Sequence, residues 1–361
     1  MTIARKDIVN DDLEMTYLCD VRCVRRSFLS GKDTYSGKNF DHRKEWIADR
    51  VRFLIGSFSL EMLGYGIMDN HFHIMPRMLP DLAKAWDDET VARRYLRVFP
   101  PRPRHKKDDP LAKMEQAVQR LLRQTGKLAK YRRRLHSLSW FMRCLDEFIA
   151  RKANKEDGCK GRFWEGRFHC QALLDQEAIL AAMIYVDMNP VRADKARTPE
   201  DSEYTSARAR IEERQAMEQA AILSAAEEPL GERAQAEMAR IEEVLKSHDW
   251  LSPLTKGSDG RGVFSRLSLD EYLTILDRTG RVIRSDRRGT IPVELAPILE
   301  RLAIRTGKWI ESIAEYDRLF RRVLGREEDV RALARRAGRR WFQGVTACRA
   351  LFAPPESTAG N

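Results

Sequence analysis

Two histidines flank one phenylalanine at His71-Phe72-His73, inside a stretch from Gly66 to Arg77 that reads as a β-strand. Successive side chains of a strand point to opposite faces, so both imidazoles project one way, roughly 7 Å apart at Cα. Phe72 and Ile74 then face a core on the other side. This parity commits the chain to a sheet with one apolar face and a polar pair opposite it. Two imidazoles on one pleat can share a divalent metal ion, although a His-x-His pair can also be purely structural.

The 361 residues suffice for a sizeable core and suggest two or three structural units. Hydrophobic residues make up 43% and charged residues 33%, the balance of a soluble globular protein with a heavily charged surface. A net charge of +11 favours a polyanionic partner such as nucleic acid, and would also suit an anionic membrane surface. No apolar run is long enough to span a bilayer, and Met1 to Asn10 has no signal-peptide core, so the expectation is a cytoplasmic protein with no membrane partner. The six cysteines are too sparse and irregular for a disulfide scaffold. Cys19 and Cys23 share one face of a short strand and read as buried thiols; a zinc site completed with His71 and His73 is the lesser reading.

Met15 to Val24 alternates as a first strand, Asp41 to Ile55 has the spacing of an amphipathic helix, and Phe58 to Ile67 is a second strand. A turn at Asp69-Asn70 then delivers the histidine strand as a hairpin partner. Helical patterns follow over Pro80 to Phe99 and, strongly basic, over Leu111 to Ala150. A strand is expected within Phe163 to Leu173, then a helix over Asp175 to Met188 stopped by Pro190. The order is β-α-β-β, a helical insert, then β-α. It predicts an α+β protein with a ferredoxin-like split βαβ arrangement, one antiparallel sheet, and an all-α C-terminal region. The expected domains are 1–205, with the basic insert at about 80–155, then helices over 206–353 and a disordered tail at 354–361. The C-terminal helices are placed over Ala207 to Ala226, Glu232 to Lys246, Asp270 to Ser285, Pro292 to Arg305, Gly307 to Leu319 and Glu327 to Phe342.

The second informative segment runs from Ala182 to Ala193. Tyr185 and Asn189 are four apart and so lie on one helix face, about one turn from each other. An Asn amide oxygen can ligate a hard cation, and a Tyr phenol can act as a nucleophile. If this helix packs beside the histidine strand, His71, His73 and Asn189 surround a metal while Tyr185 points at what that metal holds.

Together these pieces resemble the single-tyrosine HUH transposases, in particular the REP-associated tyrosine transposases. The matching stretches are Cys23-Val24-Arg25-Arg26, Met68 to His73, Gly161 to Phe168, and Tyr185-Val186-Asp187-Met188-Asn189-Pro190-Val191-Arg192-Ala193, within roughly residues 14 to 210. The resemblance implies an HUH nuclease fold and cleavage and strand transfer of single-stranded, hairpin-bearing DNA, as in transposition and recombination. It further implies that His71, His73 and Asn189 hold Mg2+ or Mn2+, and that Tyr185 forms a 5′-phosphotyrosine link and leaves a free 3′-OH. Family members occur as monomers and homodimers.

Arg25, Arg26, Arg162, Trp164, Arg167 and Arg192 are the candidate DNA contacts: arginines for phosphates, and Trp164 either for stacking on unpaired bases or for core packing. The Arg102 to Arg134 insert and the Arg331 to Arg340 helix are further basic faces that either grip DNA backbone or are simply solvated. Two alternatives stand beside the nuclease: a catalytically silent DNA-binding regulator on the same fold, and a zinc-dependent hydrolase.

Overall fold

A computed structural model describes residues 7–24, 29–31, 37–102, 109–225, 232–283, 323–342 and 344–352. Arg25 and Arg26, the helices expected at 292–305 and 307–319, and the tail at 354–361 lie outside the described residues.

The fold is α+β. Strand β1 (Met15–Arg22) is followed by helix α1 (His42–Ile55), then the hairpin β2 (Leu60–Ile67) and β3 (His71–Met78). Met68 N–H donates to His71 O at 2.8 Å and closes the turn over Asp69 and Asn70, as the turn chemistry predicts. Five helices come next: α2 (Pro80–Ala85), α3 (Asp88–Val98), α4 (Pro110–Leu122), α5 (Thr125–Leu135) and α6 (Leu138–Glu156). Then come β4 (His169–Leu173), α7 (Gln176–Asp187), a short α8 (Asn189–Arg192), α9 (Ser206–Ser224), α10 (Glu232–His248) and α11 (Leu269–Ile283). The last described elements are β5 (Val323–Leu324), α12 (Glu327–Arg336) and α13 (Val345–Phe352). The strands hydrogen-bond in the order β2-β3-β1-β4-β5.

Four expectations change in the structure. The sheet is mixed, because Ala172 and Leu173 of β4 pair in parallel with Val323 and Leu324 of β5. That two-residue strand also means the C-terminal region is not wholly helical; two residues carry no periodicity from which to read a strand. The helix expected over Pro80 to Phe99 breaks at Trp86, because Asp87 accepts from Thr90 N–H at 2.6 Å and caps a new helix. The strand expected from Phe163 begins only at His169; Glu165 to Arg167 bend around Gly166, and Trp164 makes a single antiparallel bridge to Cys23.

The chain divides into two compact units interleaved in sequence. One comprises Met1–Glu61, Met68–His71 and Pro76–His169; the other comprises Met62–Ile67, Phe72–Met75 and Cys170–Asn361. In the second unit α7 is buried along its whole length from Ala178 to Asp187, as an apolar-all-round helix must be. Its approach to β2 is close enough that a Cβ on Gly66 would meet Val186 Cγ1 at 3.1 Å and Val186 O at 3.2 Å. Among the described residues no helix is long and apolar enough to cross a membrane.

Candidate active site

Phe72 and Ile74 of β3 are fully buried as expected, but His73 and Met75 on the opposite face are buried too, so the strand is covered on both faces. His71, at the first position of the strand, is half-buried, and its Nδ1 lies 2.5 Å from Asn70 Oδ1. With Asn70 accepting that proton, the His71 lone pair is carried by Nε2, the arrangement by which a carbonyl orients a metal-ligating imidazole. His73, two residues on and with the same strand parity, is 5% exposed.

The partner helix begins at Asp175, which caps α7 by accepting from Ala178 N–H at 2.7 Å. Pro190 does not stop the helix outright. The chain turns at Met188 and resumes helical geometry at Asn189, with Pro190 in the first turn, where its missing N–H costs nothing. Backbone bonds from Met188 to Ile184, Arg192 to Met188 and Ala193 to Asn189 carry the helical repeat across the junction. Tyr185, Asn189 and Arg192 therefore share one face.

That face meets His73. The His73 and Tyr185 rings sit edge to face, 5.5 Å between centroids at 82°. The Asn189 side-chain amide lies 3.0 Å from His73 Nε2, and the Arg192 guanidinium lies 5.3 Å from the Tyr185 ring centroid. Tyr185 is 3% exposed.

The His73 imidazole and the Asn189 amide are donors that could hold a divalent cation between them. Two ligand atoms at right angles, each about 2.1 Å from an octahedral ion, are about 3 Å apart, the separation found between the Asn189 amide and His73 Nε2. The amide oxygen and nitrogen are interchangeable by a half-turn of the side chain, which brings Oδ1 to the same point. Cys19 and Cys23 are buried, and among the described residues no group of three or more His, Cys, Asp or Glu side chains converges.

Behind the site lies a feature that motif reading missed. Asp187, between Tyr185 and Asn189 on the opposite side of the helix, is wholly buried and accepts from Ser206 Oγ at 2.5 Å, from Ala207 N–H at 3.0 Å and from the Tyr272 hydroxyl. Burial pushes its carboxyl up from the ordinary range, and the nearby Arg210 charge opposes that shift. Arg210 itself donates to Leu63 O at 2.7 Å and Ser252 O at 3.3 Å. Ser206 Oγ also accepts from Tyr65 N–H at 3.2 Å, so one hydroxyl links the β2 backbone to α7. The signal was present in the sequence: Asp187 is the one charge between Ala178 and Met188.

The candidates Arg162, Trp164 and Arg167 belong to the first unit. Trp164 is 8% exposed, donates Nε1–H to Asp146 O at 2.9 Å and packs edge-on against Phe163. Arg162 and Arg167 are exposed, and the His169 ring nitrogen lies 3.0 Å from Asp20 Oδ2.

No family model matches the chain, and no curated protein matches it. Among solved structures it is similar to that of a REP-associated tyrosine transposase bound to a REP hairpin, with 11% identity and a TM-score of 0.31, over 73% of this chain and 100% of that one.

Proposed function

We propose that this protein cleaves and rejoins single-stranded, hairpin-bearing DNA through a phosphotyrosine intermediate, as a transposase-like enzyme of the HUH type. The observation that carries the reading is the meeting of His73, Tyr185 and Asn189, with Arg192 beside the phenol. The strand order β2-β3-β1-β4, with α1 and the α2–α6 insert as the two crossovers, supports a split βαβ core of the ferredoxin-like kind.

His71, by its strand parity with His73, joins His73 and Asn189 as the residues that would hold Mg2+ or Mn2+. When bound, that ion supplies Lewis-acid stabilisation of the negative charge that builds on the scissile phosphate, an effect worth several kcal/mol. The Tyr185 oxygen attacks phosphorus. A phenolic O–P bond forms to the 5′ side, the P–O3′ bond breaks, and the phenol's proton ends on the leaving 3′ oxygen. The ester conserves the energy of the cut bond, so a 3′-OH can reverse the reaction on another end without an external energy source. Arg192 neutralises phosphate charge next to the nucleophile.

Incubation of the protein with Mn2+ and end-labelled hairpin-bearing single-stranded DNA should give a denaturant-resistant protein–DNA adduct. Tyr185→Phe should give none. An adduct that persists in that variant removes Tyr185 as nucleophile. Binding without an adduct in the unmodified protein indicates a silent regulator, and duplex hydrolysis without an adduct indicates a hydrolase.

A further inference from the structure

In the first unit, α6 presents two adjacent stripes at four-residue spacing. One carries Trp140, Cys144, Phe148 and Lys152; the next carries Arg143, Glu147, Arg151 and Lys155. With Tyr95 and Phe99 at the end of α3 and Arg50 of α1, these line an open groove of about 560 Å3. That volume lies within the ~300–1,000 Å3 that accommodates a small-molecule-sized group, which includes a nucleotide.

The chemistry of the lining is specific. Five cations face one carboxylate, and that carboxylate, Glu147, is taken up by Arg151 and by Arg143 at 3.5 Å. Four aromatics share the groove, and two of them, Phe99 and Phe148, are 39% and 40% exposed. Arg50 lies 4.4 Å over the Phe148 ring and donates to Cys144 O at 3.3 Å, so a charge is held at the floor. Arg143 lies 5.0 Å from the Trp140 ring centroid. Interleaved rings and guanidinium groups in a concave surface match a single strand, whose bases stack and whose phosphates carry charge. An anionic membrane surface would need a convex basic face instead, and a duplex would bury its bases away from the rings.

We propose that this groove binds unpaired nucleotides of the DNA substrate, with bases against Phe99, Trp140 and Phe148 and phosphates against Arg143, Arg151 and Lys155. The assignment rests on the single-stranded DNA reading given above and extends it to a surface outside the tyrosine site.

The test measures fluorescence anisotropy of the full chain with a hairpin that carries a ~10-nucleotide single-stranded extension, a length within the usual site size, and with the same hairpin made blunt. Two variants are compared, Phe148→Ala and the double Arg143→Gln/Arg151→Gln, with thermal melts as a folding control. Each should weaken binding of the extended DNA at least tenfold and leave the blunt hairpin unaffected. The double variant should also lower the slope of log Kd against log salt by about 1.4, two counterion releases on a single strand. Unchanged affinity for the extension in both folded variants overturns the groove, whether or not the Tyr185 adduct forms. An RNA extension of the same sequence that competes better than DNA overturns the choice of DNA. If binding depends on the groove but the unmodified protein forms no adduct, the groove stands and the nuclease reading falls.

Discussion

Ser206 Oγ donates to Asp187 Oδ1 at 2.5 Å, on the side of α7 turned away from Tyr185 and Asn189. With the Tyr272 hydroxyl and the Ala207 N–H on the same carboxylate, this contact fixes the rotation of the helix about its axis, and hence the direction of the opposite face. Asp187→Ala would remove the acceptor shared by Ser206 Oγ, Ala207 N–H and the Tyr272 hydroxyl and leave buried donors without it. Each donor left unsatisfied costs about 1–3 kcal/mol. The expected outcome is a marked drop in the denaturation midpoint. Ser206→Ala should cost about 1–3 kcal/mol, the range for leaving a buried acceptor unsatisfied. A midpoint unchanged in both would show that the network does not hold α7.

Gly66→Ala should push β2 and α7 apart, because the added Cβ meets the Val186 carbonyl oxygen at 3.2 Å and backbone does not yield as a side-chain tip does. Overpacking of this kind costs about 1–3 kcal/mol, and adduct yield should fall with it. Gly126→Ala is the control: a Cβ there meets nothing within 4 Å, and in the first turn of α5 it should be neutral or mildly stabilising, by less than about 1 kcal/mol. Urea denaturation of the two variants side by side checks the contrast.

Asn189→Ala should raise the Mn2+ concentration needed for half-maximal adduct formation by about tenfold or more, the scale of losing a group that supports a metal. Asn189→Asp restores an oxygen and should recover much of that loss. A metal titration of adduct yield that is the same for all three proteins would take Asn189 out of the ligand set.

Asp175 gives the fold a pH dependence. Burial pushes its carboxyl up to about 6, although Ala178 N–H at 2.7 Å and Arg326 N–H at 2.6 Å both donate to it. An unfolded Asp releases its proton near 3.9. Between about pH 4 and pH 6 the folded state therefore holds more protons than the unfolded one, and stability falls as pH rises, by about 2–3 kcal/mol in total. Urea denaturation across that range should show this slope in the unmodified protein and its loss in Asp175→Ala, which also forfeits about 1 kcal/mol of helix cap. Parallel slopes in the two proteins would refute the assignment.

The hairpin, its turn and the length of α1 were legible because each is written in a local repeat: period two over His71 to Arg77, helical spacing from Trp46 to Ile55, turn residues at Asp69-Asn70. The Trp86 break, the late start of β4 and the two-residue β5 were not. A cap residue such as Asp87 overrides a helical repeat that continues past it, and a parallel pair formed across about 150 residues leaves no local trace. The groove on α6 shows the same division. Its stripes are written in the sequence at four-residue spacing, but only packing decided which of them would remain open to solvent.

From its order of residues alone the chain settles which side chains share a face: His71 with His73 on a pleat, Tyr185 with Asn189 on a helix; that Arg192 joins the second face was decided by the helical geometry continuing past Pro190. Backbone geometry repeats every two or 3.6 residues whatever else is present. Which faces meet was decided by the tertiary structure: His73 beside Asn189, Asp187 under Ser206 and Tyr272. Such contacts join positions up to 116 residues apart, and burial and shape, summed over the whole interior, choose among the pairings that local repeats leave open.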